Sequence, residues 1–536
     1  MWMVLMMGSF GMAVAEQAKL PTFTDVTDAA GITFSHSVGD FEMSNIVEGT
    51  GAGAVVFDYD GDGWQDIYLL SGRWNKQVND NRGRTLRGKL SNRLYRNNGN
   101  GSFTDVTDKA GVGGGESFAC GGSAADFDGD GDLDLYVCNF GPNLFYRNNG
   151  DGTFTDISQS SGLADPQWSL SAPWFDYNND GRLDVFVCNY LEYDSGKFRS
   201  YYAAAGYPGP LSYNGQPDSL YRNNGDGTFT DTTRDAGLEN REGRGMSATV
   251  ADFDNDGFLD IYVANDASDN DFFRNLGNNS FVNEAMTRGL AFGEGGQGVS
   301  SMGPAVGDVD RDGRLDLFIP DMGYNCLLMN RGEFFEDLTA KTGIAVVCGQ
   351  YTGWGGQLLD YDNDGWLDIF VANGDPHHEY REEAVLLRND GTGKFVDVAK
   401  QSGPFFAQKF VGRGSTCLDF DNDGDLDLLI VNLNDRARLI RNDGTQNHWI
   451  LIEAKLSNGK SDAIGARITV ITGSLKQIRD LIPVTGYLSQ ADPRCHFGIG
   501  IFDKADRIEI RWPDKTQTVL ENVKADQILK VVQPKR

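Results

Sequence analysis

Asp126, Asp128, Asp130 and Asp134 occupy positions one, three, five and nine of the stretch DFDGDGDLD, with Gly131 at position six. On so tight a turn, alternate side chains converge. At about 5 Å and an effective dielectric of about 20, each pair of carboxylates repels by ~3 kcal/mol. A hard cation reverses that sign, and Ca²⁺ takes about 6–8 oxygens in a flexible shell. Gly131 supplies the bend, and the carbonyl of Asp132 can add an oxygen. Mg²⁺ is the alternative ion, but it asks for rigid octahedral geometry and retained water. EF-hands share the D-x-D-x-D-G start, yet they need a Glu at position twelve and flanking helices. Position twelve here is Val137, and the flanks read as strands. The chemistry these residues point to is calcium ligation.

The same pattern recurs seven times. Loop one holds Asp58, Asp60, Asp62 and Asp66; loop two is the stretch above; loop three holds Asp176, Asn178, Asp180 and Asp184. Loop four holds Asp252, Asp254, Asp256 and Asp260; loop five Asp308, Asp310, Asp312 and Asp316. Loop six holds Asp360, Asp362, Asp364 and Asp368; loop seven Asp419, Asp421, Asp423 and Asp427. Asn178 loses a charge but keeps an oxygen. Up to seven Ca²⁺ are expected, enough to offset nearly half of the formal charge of −30. That acidity argues against nucleic acid or an anionic membrane surface as partner.

Each acidic turn leads into an apolar strand such as LYVCN, then into LYRNNGDGTFTD-type segments, a hairpin signal with Asn-Gly or Asp-Gly at its tip. A Gly/Ala/Ser-rich strand such as GGSAADF precedes the turn. Four-stranded units repeated at about fifty residues indicate a propeller, with a solenoid as the alternative. A fourth-strand copy, PTFTDVTDAAG, stands before the first acidic turn, and the seventh LIRNDG lacks one. The reading is therefore an all-β chain: a seven-bladed β-propeller over 16–446, closed by its N-terminal strand, then a small all-β domain over 447–536. The small first-strand residues fit crowding near the axis.

Residues 1–15 read as a signal peptide, an apolar run ending in Ala13-Val14-Ala15, although no Lys or Arg precedes it. No later segment is apolar enough to span a membrane. The expectation is a secreted, periplasmic or cell-surface protein. The seven cysteines, at 120, 138, 188, 326, 348, 417 and 495, include no CxxC pair. They read as scattered buried thiols, with one or two disulfides left open.

The repeats over about residues 20–446 resemble the FG-GAP/VCBS repeats of integrin α-subunit propellers, where Ca²⁺ sits in matching hairpin loops. The C-terminal blocks resemble the ASPIC/UnbV domain, on Asn447-His448-Trp449, Gly465-Ala466-Arg467, Gly486-Tyr487-Leu488-Ser489-Gln490, His496-Phe497-Gly498 and Arg511-Trp512-Pro513. Together they resemble the cartilage acidic protein 1 family. That resemblance implies a secreted, calcium-binding protein without an assigned reaction. His448, Arg467, Tyr487 and His496 could form a site, or a structural polar cluster.

The connections after the second strand are long in repeats one, three and six, and should emerge opposite the acidic turns. They carry Trp74 in a basic stretch, then Tyr193, Tyr201, Tyr202, Tyr207 and Tyr213, then His377 and His378. Long connections with Tyr and Arg suit a binding surface or a self-packed cap. The leading functional reading is an extracellular protein- or glycan-binding or adhesion module. The alternative is an enzyme on a glycan or secondary metabolite, but no GxSxG, HExxH or Walker loop is present.

Overall fold

The computed structural model describes residues 20–197, 207–238, 243–293, 295–377 and 380–535. The signal peptide read at residues 1–15, and the candidates Tyr201, Tyr202 and His378, lie outside them. No helix among the described residues is long and apolar enough to cross a membrane.

Each acidic turn joins two strands of one antiparallel sheet. In the second repeat, Phe118–Ala125 enters the turn and Asp134–Phe140 leaves it. Leu144–Asn148 and Phe154–Asp156 form the hairpin that follows. Ala125 faces Asp134 across the turn, Tyr136 faces Phe145, and Asn148 faces Phe154. The second strand is apolar and buried along almost its whole length, as a strand covered on both faces must be. Seven sheets follow this order among the described residues. In the third, the first strand is split into Ser169–Ser171 and Trp174–Phe175, because Pro173 has no N–H to give the ladder. In the seventh, the outer strand is Phe23–Asp25 from the start of the chain, with Phe23 facing Asn442 and Asp25 facing Ile440. The first strands pack on one another in chain order, and Gly412–Leu418 of the seventh sheet packs on Ala54–Phe57 of the first.

A recurring asparagine, the last residue of each third strand, stitches neighbouring sheets together. Asn148 Nδ2 donates to Tyr59 O of the preceding sheet at 2.8 Å and to Leu133 O of its own at 3.2 Å. Its Oδ1 accepts from Gly150 N at 3.0 Å. Asn97 makes the corresponding bond from the first sheet to Phe420 O of the seventh, at 2.8 Å. Asn223, Asn275, Asn330, Asn389 and Asn442 repeat it. Asn148→Ala leaves two buried carbonyls and one N–H without this partner, so it is expected to cost about 3 kcal/mol. The cost reads out as a lower urea midpoint at unchanged m-value. A change below about 0.5 kcal/mol would show that the stitch carries nothing.

The C-terminal part forms two further sheets. In one, His448–Lys455 lies between Cys495–Gly500, antiparallel, and Gln527–Val532, parallel. The other runs in the order Leu475–Asp480, Arg467–Thr472, Lys504–Arg511, Gln517–Lys524. Ile452, Val470, Phe497, Ile508 and Trp512 pack between them, and this core is continuous with Phe127 and Trp174 of the repeats.

Residues 484–490 leave this domain and enter the space between the first strands of the seven sheets. Gln490 N donates to Ala54 O at 2.9 Å, and Val56 N donates to Gln490 O at 3.1 Å. Ala124 N donates to Gln490 Oε1 at 2.8 Å, and Thr416 Oγ1 to Gln490 O at 3.1 Å. Thr249 Oγ1 reaches Val484 O at 3.2 Å, and Gly486 N reaches Pro304 O at 2.9 Å. Tyr487 is wholly buried and donates to Thr50 O at 3.0 Å. The small residues expected to relieve crowding near the axis have this second duty. At Gly121 a Cβ would meet the neighbouring strand, 1.9 Å from Leu170 O; at Gly303 it would stand 2.0 Å from Tyr487 N.

Candidate metal loops and the domain that caps them

Loop six shows the geometry of the turns; its position-five N–H bond to the position-one carboxylate is missing in loops two and four, and its other bonds recur in all seven. Asp364 N and Gly365 N donate to the two oxygens of Asp360, at 3.0 and 2.8 Å. Trp366 N donates to Asp364 Oδ1 at 2.9 Å. Tyr361 N and Asn389 N donate to the two oxygens of Asp368, at 3.2 and 2.7 Å. The position-nine aspartate therefore ties the turn to the third strand as well as facing its centre. Gly365 at position six has φ 87°, and Asn363 at position four has φ 57°. Position four takes a positive φ in every loop: Gly61, Gly129, Asn179, Asn255, Arg311, Asn363 and Asn422. Six of these seven are Gly or Asn, the residues that reach the left-handed region most readily.

Carboxylate oxygens converge within 4.8 Å at Asp58, Asp60 and Asp62, at Asp126, Asp128 and Asp134, and at Asp252, Asp254 and Asp256. They do so again at Asp308, Asp310 and Asp316, and at Asp360, Asp362 and Asp368. Loops three and seven keep the same hydrogen bonds at position one, where Asp176 and Asp419 each accept from the glycine of position six. Several aspartate clusters can thus bind a metal ion. The donor set is all oxygen, which suits Ca²⁺. Asp252 Oδ1 and Asp362 Oδ1 are buried and meet no hydrogen-bond donor. Such oxygens are costly unless a cation faces them. The residues present therefore fit calcium. Burial, with repulsion from neighbouring aspartates, pushes Asp66 and Asp134 up to about 9 and Asp184 to about 8. An arginine of the third strand flanks several loops: Arg388 lies 2.6 Å from both Asp362 and Asp364, and Arg96 lies 2.5 Å from Asp60.

The C-terminal domain sits on these loops. At loop two, Ser461 Oγ donates to Asp126 Oδ2, and Asn458 Nδ2 to Gly129 O at 3.4 Å. At loop four, Arg511 Nη2 lies 2.5 Å from Asp252 Oδ2, and Arg467 Nη2 donates to Asp252 O at 2.9 Å. At loop six, Gly500 N reaches Asn363 O at 2.9 Å, and Asn447 Nδ2 reaches Asp362 O at 2.8 Å. At loop seven, Arg494 Nη2 donates to Asp419 O at 2.8 Å, and His496 Nε2 lies 3.0 Å from Gly424 O. Burial lowers His496 to about 4, so its ring is neutral and donates from Nε2. His448, Arg467, Tyr487 and His496 do not make one site. His448 pairs with Asp526 at 2.8 Å, Arg467 with Asp480 at 2.6 Å, and Tyr487 lies between the first strands.

Away from the acidic loops, the long connections pack on one another. Tyr207 donates to Pro376 O, and its ring lies 5.2 Å from that of His377. Tyr207 and Tyr213 are buried, Tyr193 is half-buried 5.5 Å from the Tyr213 ring, and Trp74 is half-buried with Arg87 over its ring at 5.9 Å. Arg413, wholly buried, ties this layer down. Its guanidinium donates to Gly49 O at 2.8 Å and Asp375 O at 3.0 Å, and stacks 4.0 Å from Trp354. Burial lowers its pKa to about 10, so it stays charged at neutral pH. All seven cysteines are free, six of them buried.

His36 in this layer sets a pH dependence. It accepts Asn434 N at 3.1 Å, and burial, with Arg413 nearby, lowers it to about 3. The fold holds it neutral, whereas the unfolded chain protonates near pH 6.5. Its contribution is complete above about pH 6.5 and is lost as pH falls toward 3. Between pH 7 and 5 that is about 2 kcal/mol. His36→Gln is expected to flatten the urea-midpoint profile over this range relative to the parent. Parallel profiles would show that His36 is not the group that titrates.

An FG-GAP-like repeat model matches residues 58–137, 126–187, 205–263 and 252–319, and the ASPIC and UnbV model matches residues 456–536. The chain carries FG-GAP repeats and an ASPIC/UnbV domain. The chain is similar to cartilage acidic protein 1 of Mus musculus, 26% identical over 439 residues, 74% of this chain and 61% of that protein. The Homo sapiens protein of the same name is 26% identical over 434 residues, 74% of this chain and 60% of its own length. The chain thus spans about three fifths of the length of the curated relatives it matches. Among solved structures, an Agrocybe aegerita lectin that recognises non-reducing terminal N-acetylglucosamine aligns with TM-score 0.39 and 19% identity, covering 72% of this chain and 86% of the lectin. YCF48 bound to D1 peptide aligns with TM-score 0.40 and 9% identity, covering 73% and 90%.

Proposed function

We propose that the chain is an exported, calcium-loaded, seven-bladed propeller closed by its N-terminal strand, and that it works as an extracellular binding module for a protein or a glycan. The observation that carries the reading is the recurrence, in each of the seven repeat sheets, of one acidic turn, with buried carboxylate oxygens facing no donor at Asp252 and Asp362. Each ion is held by positions one, three, five and nine, with the carbonyl of position seven, and supplies the positive charge those carboxylates lack. The pairing of Phe23–Asp25 with the seventh sheet, and the packing of that sheet on the first, support closure of the ring. The boundary near residue 447 and the leader at residues 1–15 belong to the same proposal.

The acidic-loop face is covered in large part by the chain's own domain, so the partner surface is placed on the opposite layer. There the half-buried Trp74 and Tyr193 are offered outward, while Tyr207, Tyr213 and His377 brace them. The test is capture from a native secreted and cell-surface fraction, in calcium and in EGTA, with Trp74→Ala and Tyr193→Ala variants beside the parent. A protein or glycan retained by the parent in calcium and lost from the variants supports the reading. Equal capture by parent and variants removes the surface assignment, and equilibrium dialysis that finds no bound calcium removes the metal assignment.

A further inference from the structure

The C-terminal domain engages the acidic loops through groups whose positions a bound ion fixes. At loops two and four it takes the outer oxygen of the position-one aspartate: Ser461 on Asp126 Oδ2 and Arg511 on Asp252 Oδ2. In loop four the other oxygen of the same carboxylate, Asp252 Oδ1, is the buried one without a donor. One carboxylate is thus shared between the ion's side and the domain's side. At loops six and seven the domain reads backbone carbonyls inside the turn: Asp362 O, Asn363 O, Asp419 O and Gly424 O. Those carbonyls point outward only while the turn keeps its two left-handed residues, such as Asn363 and Gly365 of loop six. Loops one, three and five receive no hydrogen bond from the domain among the described residues. The same domain carries residues 484–490, whose backbone bonds to Ala54, Val56 and Pro304 fasten it between the first strands.

We propose that calcium in loops two, four, six and seven is thermodynamically coupled to docking of the C-terminal domain, and so to seating of residues 484–490 between the first strands. The coupling rests on the calcium reading above. An ion that sets the turns presents the outer oxygens and carbonyls the domain needs. A docked domain in turn holds those turns in the shape the ion needs. Linkage makes the two effects equal in size. Calcium sites are therefore of two kinds: four that the domain hydrogen-bonds and three that it does not.

The experiment uses the full chain. Hydrogen exchange is followed over residues 484–490 in calcium and in EGTA, below the melting range in both. The amides of Gly486 and Gln490, which donate to Pro304 O and Ala54 O, report seating directly. Coupling predicts that EGTA accelerates their exchange at least tenfold more than that of the central strand Asp134–Phe140. Reciprocity predicts two classes of ion in calorimetry, and in Arg511→Gln with Ser461→Ala the affinity of the domain-facing class falls at least fivefold while the other class is unchanged. Ser461→Ala alone, which removes one hydroxyl, gives a smaller loss of the same sign should the double variant fold poorly. Equal exchange at 484–490 with and without calcium, in a chain that binds calcium, overturns the coupling and leaves the calcium reading standing. Absence of calcium binding in dialysis overturns both.

Discussion

Stripping calcium with EGTA is expected to lower the melting temperature of this chain by about 10–20 °C, and restoring calcium to recover it. At about 1 mM calcium, ions with dissociation constants of roughly 10⁻⁵–10⁻⁴ M, ten- to a hundredfold below that concentration, stabilise the folded state by roughly 1.4–2.7 kcal/mol each. Seven loops then contribute on the order of 10–19 kcal/mol. Unfolding entropy near 2 cal/mol/K per residue over repeats spanning about 430 residues converts this to the stated shift. The unbound turns also keep their repulsion, because Asp360, Asp362 and Asp368 sit buried together and Arg388 offsets only part of it. Magnesium at equal concentration is expected to restore less than half, since the loops offer an irregular set of carboxylate and carbonyl oxygens, not an octahedron with retained water. Differential scanning calorimetry in the two buffers is the measurement. A shift under about 2 °C would mean that the turns' backbone amides and the arginines at the third strand, Arg147 on Asp128 and Arg331 on Asp310 beside Arg96 and Arg388, suffice to hold the aspartates, and that the loops are polar turns without a resident ion.

What could be read before folding is local. The aspartates at positions one, three, five and nine, the glycine at position six and the Asn-Gly hairpins are contiguous patterns, and each occupies the turn expected of it. The copy of FTD at Phe23 pairs where its match to the other fourth strands places it. What escaped is long-range. Asn148 looks like a hairpin residue, and it does accept Gly150 N, yet its amide also crosses to Tyr59 O, 89 residues away. The recurrence of Asn after every LYR-type segment was the signal for that role. Arg413 lies in a glycine-rich strand and shows nothing in sequence of the segment at Gly49, the connection at Asp375 and the Trp354 ring that it gathers. The tyrosines at 207 and 213 have a binding-surface composition, but the composition cannot separate a surface from the brace beneath it. The cap over the acidic loops was hidden for a different reason. Residues 447–536 carry 14 Lys and Arg against 10 Asp and Glu in a chain of net charge −30. That imbalance, taken alone, describes many solvated β-domains. Only with Arg467, Arg494 and Arg511 laid against loops four and seven does it become complementarity.

Gly303→Ala is expected to dislodge residues 484–490 at a cost of about 4 kcal/mol, far more than one methyl group usually brings. The added Cβ would lie 2.0 Å from Tyr487 N, 2.2 Å from Gly486 C and 2.4 Å from Tyr487 Cα. All three are backbone atoms, so no side chain can swing away. Retreat is barred because Gly486 N is bonded to Pro304 O and the Tyr487 ring is packed 5.1 Å from Trp354. Tyr487→Ala attacks the same contact from the other side. It removes a wholly buried ring and the bond to Thr50 O, for about 3–5 kcal/mol. Tyr487→Phe removes the hydroxyl alone and should cost only about 1 kcal/mol. If both large effects arise from losing one seated segment, the double variant Gly303→Ala, Tyr487→Ala costs little more than either single change, a non-additivity of several kcal/mol. Fluorescence of Trp354 offers a local reading, since its face loses Tyr487 while Arg413 remains on it. Full additivity in urea unfolding, with unaltered Trp354 emission in Gly303→Ala, would show that the segment yields by a small local shift and that its seating contributes little to the stability of the repeats.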